Sequence, residues 1–204
     1  MLVNTIYFHG AWQEKFPKKA TRKEDFFSAT KTMKLDFMRT DASRDYAEDD
    51  KIQVLSLKYT NPAYALNIFL PKRGFELGEI LAEIDGERIQ SLLSKLKKIT
   101  LTIMIPKMKL ETEVDLQEPL TSMGIIDLFS PNADLTGITK SGSLSVTHAT
   151  HKAIIEMDEE STTAAAATQL GFGYKAAYKG FVADRPFLFV LTKSGHPLFM
   201  GKFT

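Results

Sequence analysis

Apolar and polar positions alternate with a period of two over much of the chain, the signature of strands with one buried face. Residues 2–8 (LVNTIYF) form a β-branched and aromatic run, and Met33, Leu35 and Phe37 alternate with Lys34 and Asp36. Residues 52–59 alternate too, and 64–70 are nearly all apolar up to Pro71, which predicts a buried strand stopped by proline. The spacing then changes: Ile80, Ile84, Ile89, Leu92, Leu93 and Leu96 fall at helical intervals, which predicts short helices over 77–84 and 87–96 separated at Gly86. Strand spacing returns over 99–105, ends at Pro106, and resumes over 109–114. Residues 116–123 read as helix stopped by Gly124, 128–130 as a short turn and 144–157 as a long strand. Residues 187–192 and 198–203 flank Ser194-Gly195, a hairpin signal, while charge and Pro17 make 13–25 a loop. Many strands with short helices inserted predict an α+β fold with mostly antiparallel sheet.

One stretch does not fit this pattern. After Glu159 and Glu160 no charge occurs until Lys175, and the gap holds Thr162, Thr163, Ala164, Ala165, Ala166, Ala167 and Thr168. An Ala tract reads as a short helix, since Ala is the best helix former, or as a linker. A third reading is an insertable strand. In extended geometry Thr162, Ala164, Ala166 and Thr168 share one face, all small and uncharged. Such a segment can enter a sheet without burying an unpaired charge.

The flanks favour the third reading. HKAIIEMDEE over 151–160, FVADRPFLF over 181–189 and PLFMGKF over 197–203 resemble the C-terminal signature of the serpin family. LVNTIYFHGAW over 2–12, IPKMKLETEVDL over 105–116, MGIIDLF over 123–129 and ADLTGI over 133–138 resemble the family's earlier motifs, in the right order. The resemblance covers essentially the whole chain. It implies a single partial serpin domain over 1–204, the C-terminal half with the N-terminal half absent, in which 159–180 form the hinge and reactive-centre loop.

The resemblance implies a mechanism as well: a serine protease cleaves a bait loop, which inserts into the main sheet and traps the acyl-enzyme. The hinge is Glu159, Glu160, Ser161, Thr162, Thr163, Ala164, Ala165, Ala166, Ala167 and Thr168, with Ser161 where the family usually has Gly. Family distances counted from Glu159 and back from Pro186 both place the reactive bond at Lys175–Ala176, and a Lys there suits a trypsin-like target with an anionic pocket. The strands that would flank the insertion are 2–12 and 144–157. Asn4 and His151 match a pair that meets beneath the opening sheet, and Trp12 matches a tryptophan near its top. Buried Asn and His require hydrogen bonds. The alternatives are a non-inhibitory serpin-fold binding protein and an inactive truncated product; in the latter the free edge beside 2–8 leads to loop–sheet oligomers or aggregation.

Composition narrows the classes further. The 204 residues are 44% hydrophobic and 25% charged with a net charge of +1, which gives no electrostatic case for nucleic acid or membrane. Lys15, Lys18 and Lys19, and Lys95, Lys97 and Lys98, read as solvated faces, with a polyanion patch as the lesser alternative. With no cysteine there is no disulfide or thiolate metal site. His148 and His151, three apart in an expected strand, suit a metal poorly. No HExxH, phosphate loop or nucleophile elbow occurs, so no enzyme, cofactor or metal is expected. The first residues do not read as a signal peptide, so none is expected, and no stretch approaches the ~18 apolar residues of a membrane span. The family resemblance points to the extracellular space, and the missing signal to the cytoplasm.

Overall fold

The computed structural model describes residues 1–139, 144–159 and 178–204. In chain order the elements are β1 (Leu2–His9), β2 (Arg22–Phe27), β3 (Thr32–Glu48), β4 (Ile52–Lys58) and β5 (Tyr64–Pro71). Helices α1 (Leu77–Glu83) and α2 (Gly86–Ser94) follow, then β6 (Lys97–Pro106), β7 (Met108–Asp115), α3 (Gln117–Ser122), β8 (Ala149–Met157), β9 (Lys179–Val182), β10 (Phe187–Lys193) and β11 (His196–Phe203). They divide into two compact units, one of Met1–His9 and Met108–Met157, the other of Gly10–Lys107 and Asp158–Thr204.

The larger unit is built on an eight-stranded sheet, in the order β11-β10-β5-β4-β3-β6-β9 with β2 also paired to β3. Phe37 on β3 pairs with both β2 and β6, and Tyr46 pairs with both β4 and β6, so β2 and β4 share one edge of the long β3. Alternation sorts the side chains to two faces. On one, Val54, Phe69, Leu188 and Val190 receive Leu77 and Ile80 of α1 and Leu92 of α2, all buried. The other takes the rings of Phe26, Phe187 and Phe203, with centroids 5.0–5.2 Å apart. Gly201 lies opposite Phe189, where a Cβ would come within 2.6 Å of that ring. At the β10–β11 turn Ser194 and Gly195 have φ of 50° and 82°, the left-handed pair of a two-residue hairpin.

Several expected boundaries move. Residues 22–25, expected as loop, belong to β2, because an edge strand tolerates charge when its partner answers it: Lys23 lies 3.6 Å from Asp36, and Lys34 3.0 Å from Asp25, across the β2–β3 ladder. Gly86 does not separate the helices. It opens α2, since Asp85 is the N-cap and its carboxylate accepts from the Arg88 amide at 2.8 Å. The strand expected from 144 begins at Ala149; the Val146 amide instead donates to the Leu128 carbonyl.

The smaller unit is a three-stranded sheet in the order β1-β8-β7, with β1 parallel and β7 antiparallel to β8. Its β1 is the β-branched and aromatic run of the sequence, yet Leu2, Val3, Ile6 and Tyr7 are 38–57% exposed. Among the described residues β1 is paired along one edge only and neither of its faces is covered.

Candidate functional site

The sequence directs attention to the two ends of the segment after β8, and each end is fixed by a specific set of contacts in the larger unit. Residues 11–13 run beside the end of β4: the Thr60 amide donates to the Ala11 carbonyl at 2.6 Å and the Gln13 amide to the Lys58 carbonyl at 2.9 Å. This places Trp12 face to face with Tyr59, centroids 4.5 Å apart at 19°, with Phe16 edge-on. Trp12 is 3% exposed, and its indole Nε1 donates to the Asp158 carbonyl at 2.7 Å. A core aromatic thus also holds the residue that enters the hinge.

Next to it, Glu159 is buried at 5% exposure. Its Oε1 accepts from the Thr21 hydroxyl at 2.5 Å and its Oε2 faces the Lys107 ammonium at 2.7 Å. Burial pushes the carboxyl up, but the bonds from Lys107, Thr21 and its own backbone amide, with the Lys107 charge, outweigh it and hold the group below the usual carboxylate range. The sequence reading gives neither Thr21 nor Lys107 a role at the hinge. They lie 138 and 52 residues away along the chain, and no local pattern marks either as a partner.

At the far end, β9 runs parallel to β6, from Leu101 opposite Lys179 to Met104 opposite Val182. Phe181 and Ala183 are fully buried, and the Ala183 amide donates to the Met104 carbonyl at 2.9 Å. Asp184, buried, takes Arg73 at 2.8 Å and Arg185 at 2.7 Å. Of the expected site residues, Glu160, Ser161, Thr162, Thr163, Ala164, Ala165, Ala166, Ala167, Thr168, Lys175 and Ala176 lie outside the described residues.

Within the smaller unit, β1 and β8 pair directly over eight positions, from Leu2 opposite Ala149 to His9 opposite Glu156. Asn4 lies opposite His151, and their side chains meet at 2.8 Å. The atoms are Asn4 Oδ1, which only accepts, and His151 Nδ1, which donates in the tautomer that carries its proton there. The pair is not buried as expected: Asn4 is exposed and His151 half-buried, because among the described residues nothing covers Asn4. His148 precedes β8, and its carbonyl accepts from the Leu2 amide at 2.7 Å. The seam also carries Tyr7, whose hydroxyl donates to Glu156 at 3.2 Å. Among the described residues no cluster of His, Cys, Asp or Glu has the arrangement of a metal site.

Comparison with known proteins agrees over the full chain. Residues 1–204 match the family described as "Serpin (serine protease inhibitor)". A leukocyte elastase inhibitor of Bos taurus is 36% identical over 218 residues, which cover 99% of this chain and 57% of the relative. Iripin-2 of Ixodes ricinus is 35% identical over 210 residues, 99% of this chain and 53% of the relative. Serpin B3 of Homo sapiens is 33% identical over 214 residues, 100% and 55% respectively. The crystal structure of uncleaved ovalbumin superposes with a TM-score of 0.89 at 25% identity, over 98% of this chain and 55% of that one. The chain spans about half the length of the curated relatives it matches.

Proposed function

This chain belongs to the serpin family, and on that premise we propose that it carries the bait-loop half of a serine protease inhibitor. In this reading a trypsin-like protease attacks the Lys175–Ala176 bond. The freed segment, led by Thr162, then enters between β1 and β8. The loop acts as bait, and the chain performs no catalysis of its own.

The observation that carries the reading is the pairing of β1 with β8. Two parallel neighbours joined over eight positions are the seam an incoming strand would have to open. A strand entering antiparallel to both gains two ladders for the one it breaks. The hinge composition fits such an entry, since residues 161–170 carry no charge and no proline. Glu159, held by Lys107 and Thr21, fixes the point from which the segment would swing. Lys175 suits an anionic specificity pocket; the relative named for an elastase does not set the target of this chain.

A second reading is favoured by a different observation. Among the described residues nothing covers either face of β1, and the chain is about half the length of its relatives. A sheet so exposed need not store the energy that trapping requires, and the chain would then act as a substrate or a binding protein. Mapping the cut made by trypsin separates the two. The inhibitor reading predicts a cut after Lys175 and, from the same reaction, a covalent protease adduct that Lys175→Ala abolishes. A cut after Lys175 with the chain released and the protease fully active favours the second reading.

A further inference from the structure

Between Glu160 and Pro186 the chain offers a trypsin-like enzyme three basic residues, Lys175, Lys179 and Arg185. Two of them are tied down. Arg185 gives Nε and Nη2 to the Pro71 carbonyl at 2.9 and 2.6 Å and Nη1 to Asp184 at 2.7 Å. Lys179 is held differently. Its ammonium is ion-paired with the Glu48 carboxylate and sits 4.9 Å from the centroid of the Tyr46 ring.

Glu48 is the centre of a small cluster at the end of β3. It also takes Lys72 at 3.1 Å and the Tyr46 hydroxyl at 2.9 Å, and that hydroxyl accepts from Gln53 at 3.0 Å. The backbone at Lys179 is constrained too, because β9 pairs with β6 from this residue onward and Phe181, two residues later, is fully buried. A protease must draw several residues on both sides of its bond into an extended form and place the basic side chain in its own anionic pocket. At Lys179 it would have to part β9 from β6, extract Phe181 and displace Glu48 from the ammonium.

We propose that Glu48 and Tyr46 are specificity-determining residues: they clamp Lys179 so that a trypsin-like protease is denied that bond and is left with Lys175. The proposal rests on the inhibitor reading only in its choice of protease. The clamp assigns the residues to a task that ordinary stability would not require of them. It withholds from the enzyme a lysine four positions from Lys175.

Time-resolved trypsin digestion followed by mass spectrometry tests this. The readout is the rate of hydrolysis at Lys179–Gly180 in the native chain relative to the urea-unfolded chain, with Lys34–Leu35 inside β3 as the reference for global unfolding. The native chain should be protected at Lys179–Gly180 by about a hundredfold or more. Glu48→Gln should raise the native rate at that bond about tenfold and leave the β3 bond unchanged. If Glu48→Gln opens both bonds together, Tyr46→Phe decides. It keeps the ring under Lys179, loses the hydroxyl's bonds to Glu48 and Gln53, and should speed hydrolysis at Lys179 about threefold with the β3 bond intact. The proposal is overturned if native Lys179–Gly180 is cut as fast as in the unfolded chain. It is also overturned if Glu48→Gln leaves both bonds protected, or if Tyr46→Phe leaves Lys179 unchanged where it decides. Because hydrolysis at Lys179 is read whether or not an adduct forms, failure of trapping with the clamp intact would end the inhibitor reading alone.

Discussion

Lys107 Nζ lies 2.7 Å from Glu159 Oε2, and the carboxylate it meets is only 5% exposed. The first acid of the hinge is therefore a buried, paired charge. Removing one partner of such a pair leaves the other uncompensated. Glu159→Lys, which sets two ammonium groups against each other, is expected to cost about 3–5 kcal/mol. Glu159→Gln keeps the bond from Thr21 and should cost about 1–3 kcal/mol. Urea midpoints at constant m-value measure both, and Lys107→Glu combined with Glu159→Lys should recover part of the loss.

Acid should weaken the larger unit as pH falls from the unfolded toward the folded values of its depressed carboxylates. At Glu48 burial pushes the carboxyl up, but the bonds from Lys179, Lys72 and Tyr46 win and bring it down to about 2. At Asp49 burial is likewise outweighed, by the Lys51 and Ile52 amides and Arg88, and Glu159 is lowered as well. Depressed carboxylates supply stability that is complete above their unfolded value, about 4, and that is lost as pH falls through the folded values. The melting temperature should hold from pH 7 to 5 and fall steadily between pH 4 and 2. In Glu48→Gln the fall should be shallower.

Trp12 is the sole tryptophan of the chain, and its indole donates to the carbonyl of Asp158, one residue before the hinge. Its emission therefore reports on the start of that segment. Trp12→Ala should cost about 3–5 kcal/mol through the cavity beside Tyr59, and Trp12→Phe about 1 kcal/mol through the lost bond. In the unmodified chain, cleavage after Lys175 followed by insertion should shift the emission, whereas cleavage without insertion should leave it unchanged.

The strands were legible where the pattern is local. The apolar run before Pro71 and the turn at Ser194-Gly195 appear at the expected positions because one stretch of sequence decides them. What could not be read depends on distant partners. β2 looks like loop until Asp36 and Lys34 answer its charges across a ladder. The site divides in the same way. Trp12 and the Asn4–His151 pair were singled out by motif, and their contacts belong to the structure. Thr21, Lys107 and Glu48 acquire meaning only when the fold brings them to Glu159 and Lys179.

The bond between Asn4 and His151 crosses the seam of the smaller sheet where water reaches it. Asn4→Ala should thus cost only about 0.5–1 kcal/mol. The effect should be local: amide hydrogen exchange in β1 and β8 is expected to quicken a few-fold, with β4 and β5 unchanged, which pulse labelling resolves.

The most direct test of the inhibitor account is a denaturing gel of the purified chain after incubation with trypsin. The account predicts a new band at the summed mass of chain and protease, stable to denaturant and absent in Lys175→Ala. Quantitative cleavage after Lys175 with no such band, and with trypsin still fully active, would contradict it.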